Sequence, residues 1–186
     1  MNIGFAMCGS FCTFAEVFPV MELLTRDYHV TPVFSTAAAT ISSRFGTAAD
    51  HIQQATEICG TPPLMTIGDV EPIGPKKLFD ALVVAPCTGN TLAKLAHSIA
   101  DTPVTMAVKS HLRNARPVII AVSTNDALGG AAENIGKLMG RKHYYFVPLR
   151  QDDPKNKPTS MVADFSRIHE TLDAAMEGRQ LQPLLL

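Results

Sequence analysis

Five short runs, Ile3 to Met7, Val30 to Phe34, Ala81 to Ala85, Val118 to Val122 and Tyr144 to Val147, are nearly all apolar and do not alternate apolar with polar residues. A strand of that composition is covered on both faces, and such strands belong to parallel sheets flanked by helices. Between the runs, apolar residues recur at helical spacing. Phe14, Val17, Phe18, Met21, Leu23 and Leu24 make one broad stripe, with Pro19 as a potential kink, and Leu92, Leu95, Ala96 and Ile99 make a second. Residues 125–139 open on Asn-Asp, good cap types, and read as a third helix. The expected fold is α/β in three layers, a parallel sheet with helices on both faces, Rossmann-like or flavodoxin-like.

The 186 residues suit one domain, with 148–159 as a loop and 160–178 as a C-terminal helix opened by a Ser cap. Residues 180–186 are expected to fray or to dock elsewhere. The proline-bearing stretches 61–77 and 151–159 read as loops. Hydrophobic residues make up 46% of the chain and charged ones 18%, a composition far from disorder. A net charge of −1 supplies no field for a nucleic-acid backbone, so no nucleic-acid partner is expected. One local exception is 137–157, where Lys137, Arg141, Lys142, Arg150, Lys155 and Lys157 face only Asp152 and Asp153, either as a solvated rim or as an anion-facing patch. No apolar run approaches the roughly 20 residues of a membrane span. Cys8, Cys12, Cys59 and Cys87 match neither a zinc nor a redox spacing, and the opening Met-Asn-Ile-Gly-Phe lacks a basic signal start, so free thiols in a cytoplasmic setting are expected.

Ligands of open parallel sheets bind beyond the carboxyl ends of the strands. After the first run come Gly9 and Ser10, where a tight turn and the following amides suit a phosphate, although an ordinary strand-to-helix turn has the same residues. After the second stand Ser35 and Thr36. After the third stands Pro86-Cys87-Thr88-Gly89-Asn90-Thr91, and after the fourth Ser123-Thr124-Asn125-Asp126. The candidate cofactor-binding residues are thus Gly9, Ser10, Ser35, Thr36, Pro86, Thr88, Gly89, Asn90, Thr91, Ser123, Thr124 and Asn125. Uncharged donors on four turns suit a neutral ring with a phosphate tail better than a hydrolytic reaction that needs a strong base. Neither a Gly-x-Gly-x-x-Gly fingerprint nor a Walker A loop is present, none of the six histidines has metal-ligand spacing, and no catalytic residue stands out. Cys87 is a thiolate candidate at a helix start or a small packing residue.

Together these motifs resemble the flavoprotein family of homo-oligomeric flavin-containing cysteine decarboxylases, whose Pro-Ala-Ser-Ala-Asn-Thr loop is similar to residues 86–91. Within it, Met-Cys-Gly-Ser-Phe-Cys-Thr-Phe at 7–14, Ala-Pro-Cys-Thr-Gly-Asn-Thr at 85–91 and Ser-Thr-Asn-Asp at 123–126 resemble the B subunits of a two-component oxidoreductase. The resemblance implies FMN at the three turns, a trimer-based homo-oligomer, and a partner, the A subunit, that carries NAD(P). It further implies a small dicarboxylate substrate and the mother-cell cytoplasm of a spore-forming bacterium, with Arg141, Lys142 or Lys109 available to neutralise the dicarboxylate. Two departures stand out: Asp69-Val70-Glu71-Pro72 replaces the region where the decarboxylases carry an active-site His, and Ser123-Thr124-Asn125-Asp126 replaces their Pro-Ala-Met-Asn. A non-catalytic partner of the A subunit, or a cysteine-decarboxylase-like enzyme, are the alternatives.

Overall fold

The computed structural model describes residues 1–186. Strands β1 (Asn2–Met7), β2 (His29–Phe34), β3 (Ala81–Cys87), β4 (Val118–Thr124) and β5 (Tyr144–Phe146) are mutually parallel, in the order β2-β1-β3-β4-β5. The central strand β3 is buried at every residue, as its unbroken apolar run requires. Close packing of the sheet shows at Gly4, where a Cβ would lie 2.6 Å from the Phe79 ring.

Helices α1 (Phe14–Leu24), α2 (Thr36–Thr40), α3 (Ala48–Cys59) and α4 (Ile67–Val70) precede β3, and α5 (Gly89–Ala96), α6 (Pro103–Leu112), α7 (Ala132–Met139) and α8 (Ile168–Met176) follow it. α1, α3 and α8 cover one face, while α4, α5, α6 and α7 cover the other. One core of 48 buried residues runs from Ile3 in β1 to Ala175 in α8. α1 accommodates Pro19 without interruption. No helix is long and apolar enough to cross a membrane.

Several expectations need correction. The stretch 125–139 is not one helix: the Asp126 carbonyl accepts from Gly129 and Ala131, and this turn delays α7 to Ala132. Residues 160–178 are not one helix either. Beyond the end of β5, Ser123 and Thr124 extend β4 and need a partner there; β7 (Met161–Ala163) supplies it, running antiparallel. The expected loop 148–159 contains β6 (Leu149–Arg150), which pairs with β7. Asp164 caps the 3-10 turn that leads into α8, and Ser160 caps no helix. Residues 61–77 hold α4 and a 3-10 turn, nucleated where Thr66 and Asp69 form a capping box. The C-terminal segment docks on the sheet: Leu149 donates to the Leu184 carbonyl, and the Gln180 side chain bonds both backbone groups of Phe146.

Candidate functional site

The chain reverses direction across the sheet between β1 and β3. The β1 connection leads through α1 to β2 on one side, whereas β3 and β4 lie on the other. At such a switch point the turns diverge and leave a crevice beyond the carboxyl ends of the strands. A cavity of about 820 Å³ lies there. Gly9, Ser10, Thr88, Gly89, Ser123, Thr124 and Asn125, seven of the candidate residues, line it. The join between distant turns is direct: Ser10 Oγ and Ser123 Oγ are hydrogen-bonded at 2.8 Å across 113 residues of sequence.

Proton counting sorts the hydroxyls. Thr91 donates its single proton to Cys8 Sγ at 3.3 Å, so in the 3.1 Å Thr88–Thr91 contact Thr88 is the donor. Thr88 Oγ1 also accepts the Thr91 amide as the cap of α5. Both hydroxyl protons are spent inside the protein. Thr124 is committed too, donating to Asp126. By contrast, Ser10 and Ser123 share one bond between two protons, and the second O–H faces at most Cys12 Sγ, in a long 3.9 Å contact with Ser10 that a guest can displace. The backbone adds donors: the amides of Phe11 and Cys12, and those of Gly89 and Asn90 opening α5, have no acceptor within the chain.

The remaining candidates stand outside the lining. Ser35 caps α2 by accepting the Ala38 amide, and Thr36 opens that helix. Pro86 lies within β3, preceded by a cis peptide bond. Asn90 is exposed in the first turn of α5 beside the cavity edge. Cys87 is fully buried, and burial pushes its thiol well up, so it is a protonated packing residue.

The lining also includes residues that the sequence did not mark as cofactor-binding. Phe11, Phe45, Met161 and Val162 give it an apolar wall, and Glu16, Ser43, Asp152, Lys157 and Ser160 complete the rim. The strands β6 and β7 fold over β4 to bring in Asp152, Lys157 and Ser160, clamped by Thr159 Oγ1 donating to the Asn125 carbonyl at 2.8 Å and Leu128 N donating to the Thr159 carbonyl at 3.0 Å. Lys157 lies 3.1 Å from Asp152, which raises the ammonium pKa. Although burial works against ionisation of Asp152, hydrogen bonds from Ser160 and Lys157 hold its carboxyl below the usual range. The pair enters the cavity as a nearly neutral unit. Lys157 and Asp152 belong to the basic stretch noted in the sequence; its proximity to the cavity depends on two strands too short to show a pattern.

Three expected cations are elsewhere. Lys109, Arg141 and Lys142 line a second cavity between α5, α6 and the start of β5, at the opposite edge of the sheet. No substrate at the switch point meets them. Asp69, in the region where decarboxylases carry a histidine, is taken up by the α4 cap: Thr66 and the amides of Met65 and Thr66 hold its carboxyl below the usual range. It does not line the cavity.

Comparison with known proteins agrees with this architecture. The Flavoprotein family model matches residues 1–166. The dipicolinate synthase B subunit of Bacillus subtilis (strain 168) is 42% identical over 186 residues, covering 100% of this chain and 93% of that protein. The crystal structure of the dipicolinate synthase B subunit from Bacillus halodurans C superposes with a TM-score of 0.91 at 41% identity, covering 100% of this chain and 95% of that one. The FMN-dependent cysteine decarboxylase SpaF shares the fold, with a TM-score of 0.69 at 22% identity over 94% of this chain and 97% of that one. The chain therefore belongs to the Flavoprotein family and, within it, to the group of the dipicolinate synthase B subunits.

Proposed function

We propose that the chain acts with the dipicolinate synthase A subunit, which carries NAD(P), to oxidise a dihydrodipicolinate-type precursor to dipicolinate during spore formation, in the mother-cell cytoplasm. The observation that carries this reading is the Ser10–Ser123 bond across the switch-point cavity, together with the full-length similarity to the B subunits of dipicolinate synthase. The cavity fits FMN on its own chemistry. Its volume of about 820 Å³ falls within the range of cofactor pockets, and it pairs an apolar wall with uncharged donors. Ser10, Ser123 and the free amides of Phe11, Cys12, Gly89 and Asn90 would hold the phosphate and ribityl oxygens, while Phe11, Phe45, Met161 and Val162 would flank the ring. Bound there, a flavin would supply a two-electron acceptor for the hydride that leaves the dihydro ring, while a proton is released.

The residues of the chain position and exclude. The β6–β7 arm closes one side, and the Lys157–Asp152 pair presents a donor without adding net charge. Asn125, exposed on the rim, offers an amide to a carboxylate oxygen. A specific observation favours the second reading, a non-catalytic partner of the A subunit: no histidine lines the cavity, and the hydroxyl protons of Thr88, Thr91 and Thr124 are internally committed. A cysteine decarboxylase is the weaker alternative, because Asp69 is tied into a helix cap.

The test is dipicolinate formation from the dihydro precursor by the A subunit, with this chain present or absent. The rate is expected to depend on both proteins, and to fall when Ser10 and Ser123 are both replaced by alanine. A rate raised equally by wild type and double variant supports the scaffold; a rate indifferent to this chain overturns both.

A further inference from the structure

The second cavity, about 340 Å³, is independent of the switch-point site. Its floor is apolar, built from Leu95, Ile99, Val108 and Leu112. Its rim carries Lys109, Arg141 and Lys142, and no carboxylate lines it. None of the three cations takes part in an ion pair, whereas the neighbouring Asp101 is already engaged by Lys94 at 2.7 Å. Arg141 is held in place: its guanidinium donates to the carbonyl of Leu95 at 3.0 Å, which also accepts from Ser98 N, and to the carbonyl of Ala96 at 2.6 Å, both at the end of α5. A guanidinium has five N–H groups, so three remain for another acceptor from a fixed position. Beside it Tyr144, largely buried, also faces the cavity.

Unpaired cations that converge over an apolar floor repel each other, an arrangement that a bound anion relieves. We infer that this cavity is a binding site for a small carboxylate with a ring-sized apolar body, the carboxylate meeting Arg141, Lys142 and Lys109 and the ring covering Leu95, Val108 and Leu112. The inference does not depend on the oxidoreductase reading. A pocket of about 340 Å³ lies at the small end of ligand sites and suits one ring with substituents. Of the basic stretch at 137–157, Arg141 and Lys142 line this cavity and Lys157 the switch-point site, while Lys137, Arg150 and Lys155 line neither.

The experiment is a calorimetric titration of the full chain with benzoate, and with benzyl alcohol and inorganic phosphate as the uncharged and ring-less controls. Benzoate is expected to bind saturably and at least ~10-fold more tightly than either control, the factor that one charge-assisted bond contributes. Combined Lys109→Glu and Lys142→Glu exchange should abolish saturation, and Lys109→Met with Lys142→Met should weaken binding. Both variants should retain the thermal unfolding transition of the wild type, which shows that they are folded. Absence of saturation with benzoate, equal binding of benzyl alcohol or phosphate, or unchanged binding by the folded charge-reversal variant would each overturn the inference.

Discussion

At the scale of single residues, hydroxyl proton accounting separates the partners of a guest from internal struts. Thr91 spends its proton on Cys8 Sγ, so Thr91→Val should cost about 1 kcal/mol of stability while leaving FMN affinity within roughly twofold. Unfolding by denaturant beside a flavin titration measures both numbers, and a large loss of affinity would place the Thr91 hydroxyl on the ligand. The threonines looked equivalent to the serines in the sequence because types and spacing carry no information about which proton is already used. His111 makes a second point. It is completely buried at the end of α6 with Nδ1 unpartnered, and burial pulls its imidazole down to about 4 despite the bond to the Pro117 carbonyl. The unfolded chain takes up this proton near pH 6.5, the folded one only near 4. The contribution of His111 is therefore complete above pH 6.5 and declines as pH falls toward 4, by up to roughly 3 kcal/mol. Denaturation of wild type and His111→Gln from pH 7 to 4.5 checks it: wild type should lose more stability than the variant over that interval, and parallel curves would rule it out.

Among elements, the loops after β3 and β4 act as one unit. A Cβ on Gly89 would lie 2.8 Å from Thr124 Oγ1 and 3.0 Å from Asp126 Oδ1, so a methyl must push the two turns apart. Gly89→Ala should cost about 1 to 3 kcal/mol, lower Tm by several degrees and weaken flavin binding, as calorimetry and titration would show; an unchanged Tm would mean that the turns are not in contact. The strands and their polar turns were legible because unbroken apolar runs such as Ala81 to Ala85 admit few alternatives. Helices α3 and α6 escaped the periodicity reading, yet Thr47 with Asp50 has the acidic capping-box pattern and Thr102 followed by Pro103 is a cap with proline at the first helical position, both of which a search for caps finds. What was not legible is β6 and β7. Two- and three-residue strands have no period, and their pairing is dictated by the tail of β4, which is remote in sequence.

For the whole molecule, the parallel sheet places every candidate turn on one edge, and chain reversal between β1 and β3 opens the crevice there. Ile41, Phe45 and Leu128, 48%, 46% and 53% exposed, leave apolar side chains on the segments around that edge. A trimer-based homo-oligomer would cover them. Light scattering should then give a mass that is a multiple of three chains, falling on exchange of Phe45 and Leu128 for glutamate, whereas a monomeric wild type would exclude the assembly. The proposed function depends above all on turns far apart in sequence forming one flavin cradle around Ser10 and Ser123. The decisive experiment is titration of FMN into the purified chain, read by quenching of flavin fluorescence. Saturation is expected at one FMN per chain, with affinity at least ~10-fold weaker when both serines are replaced by alanine. Failure to saturate, or a double variant that binds FMN as the wild type does, would show that no such cradle exists.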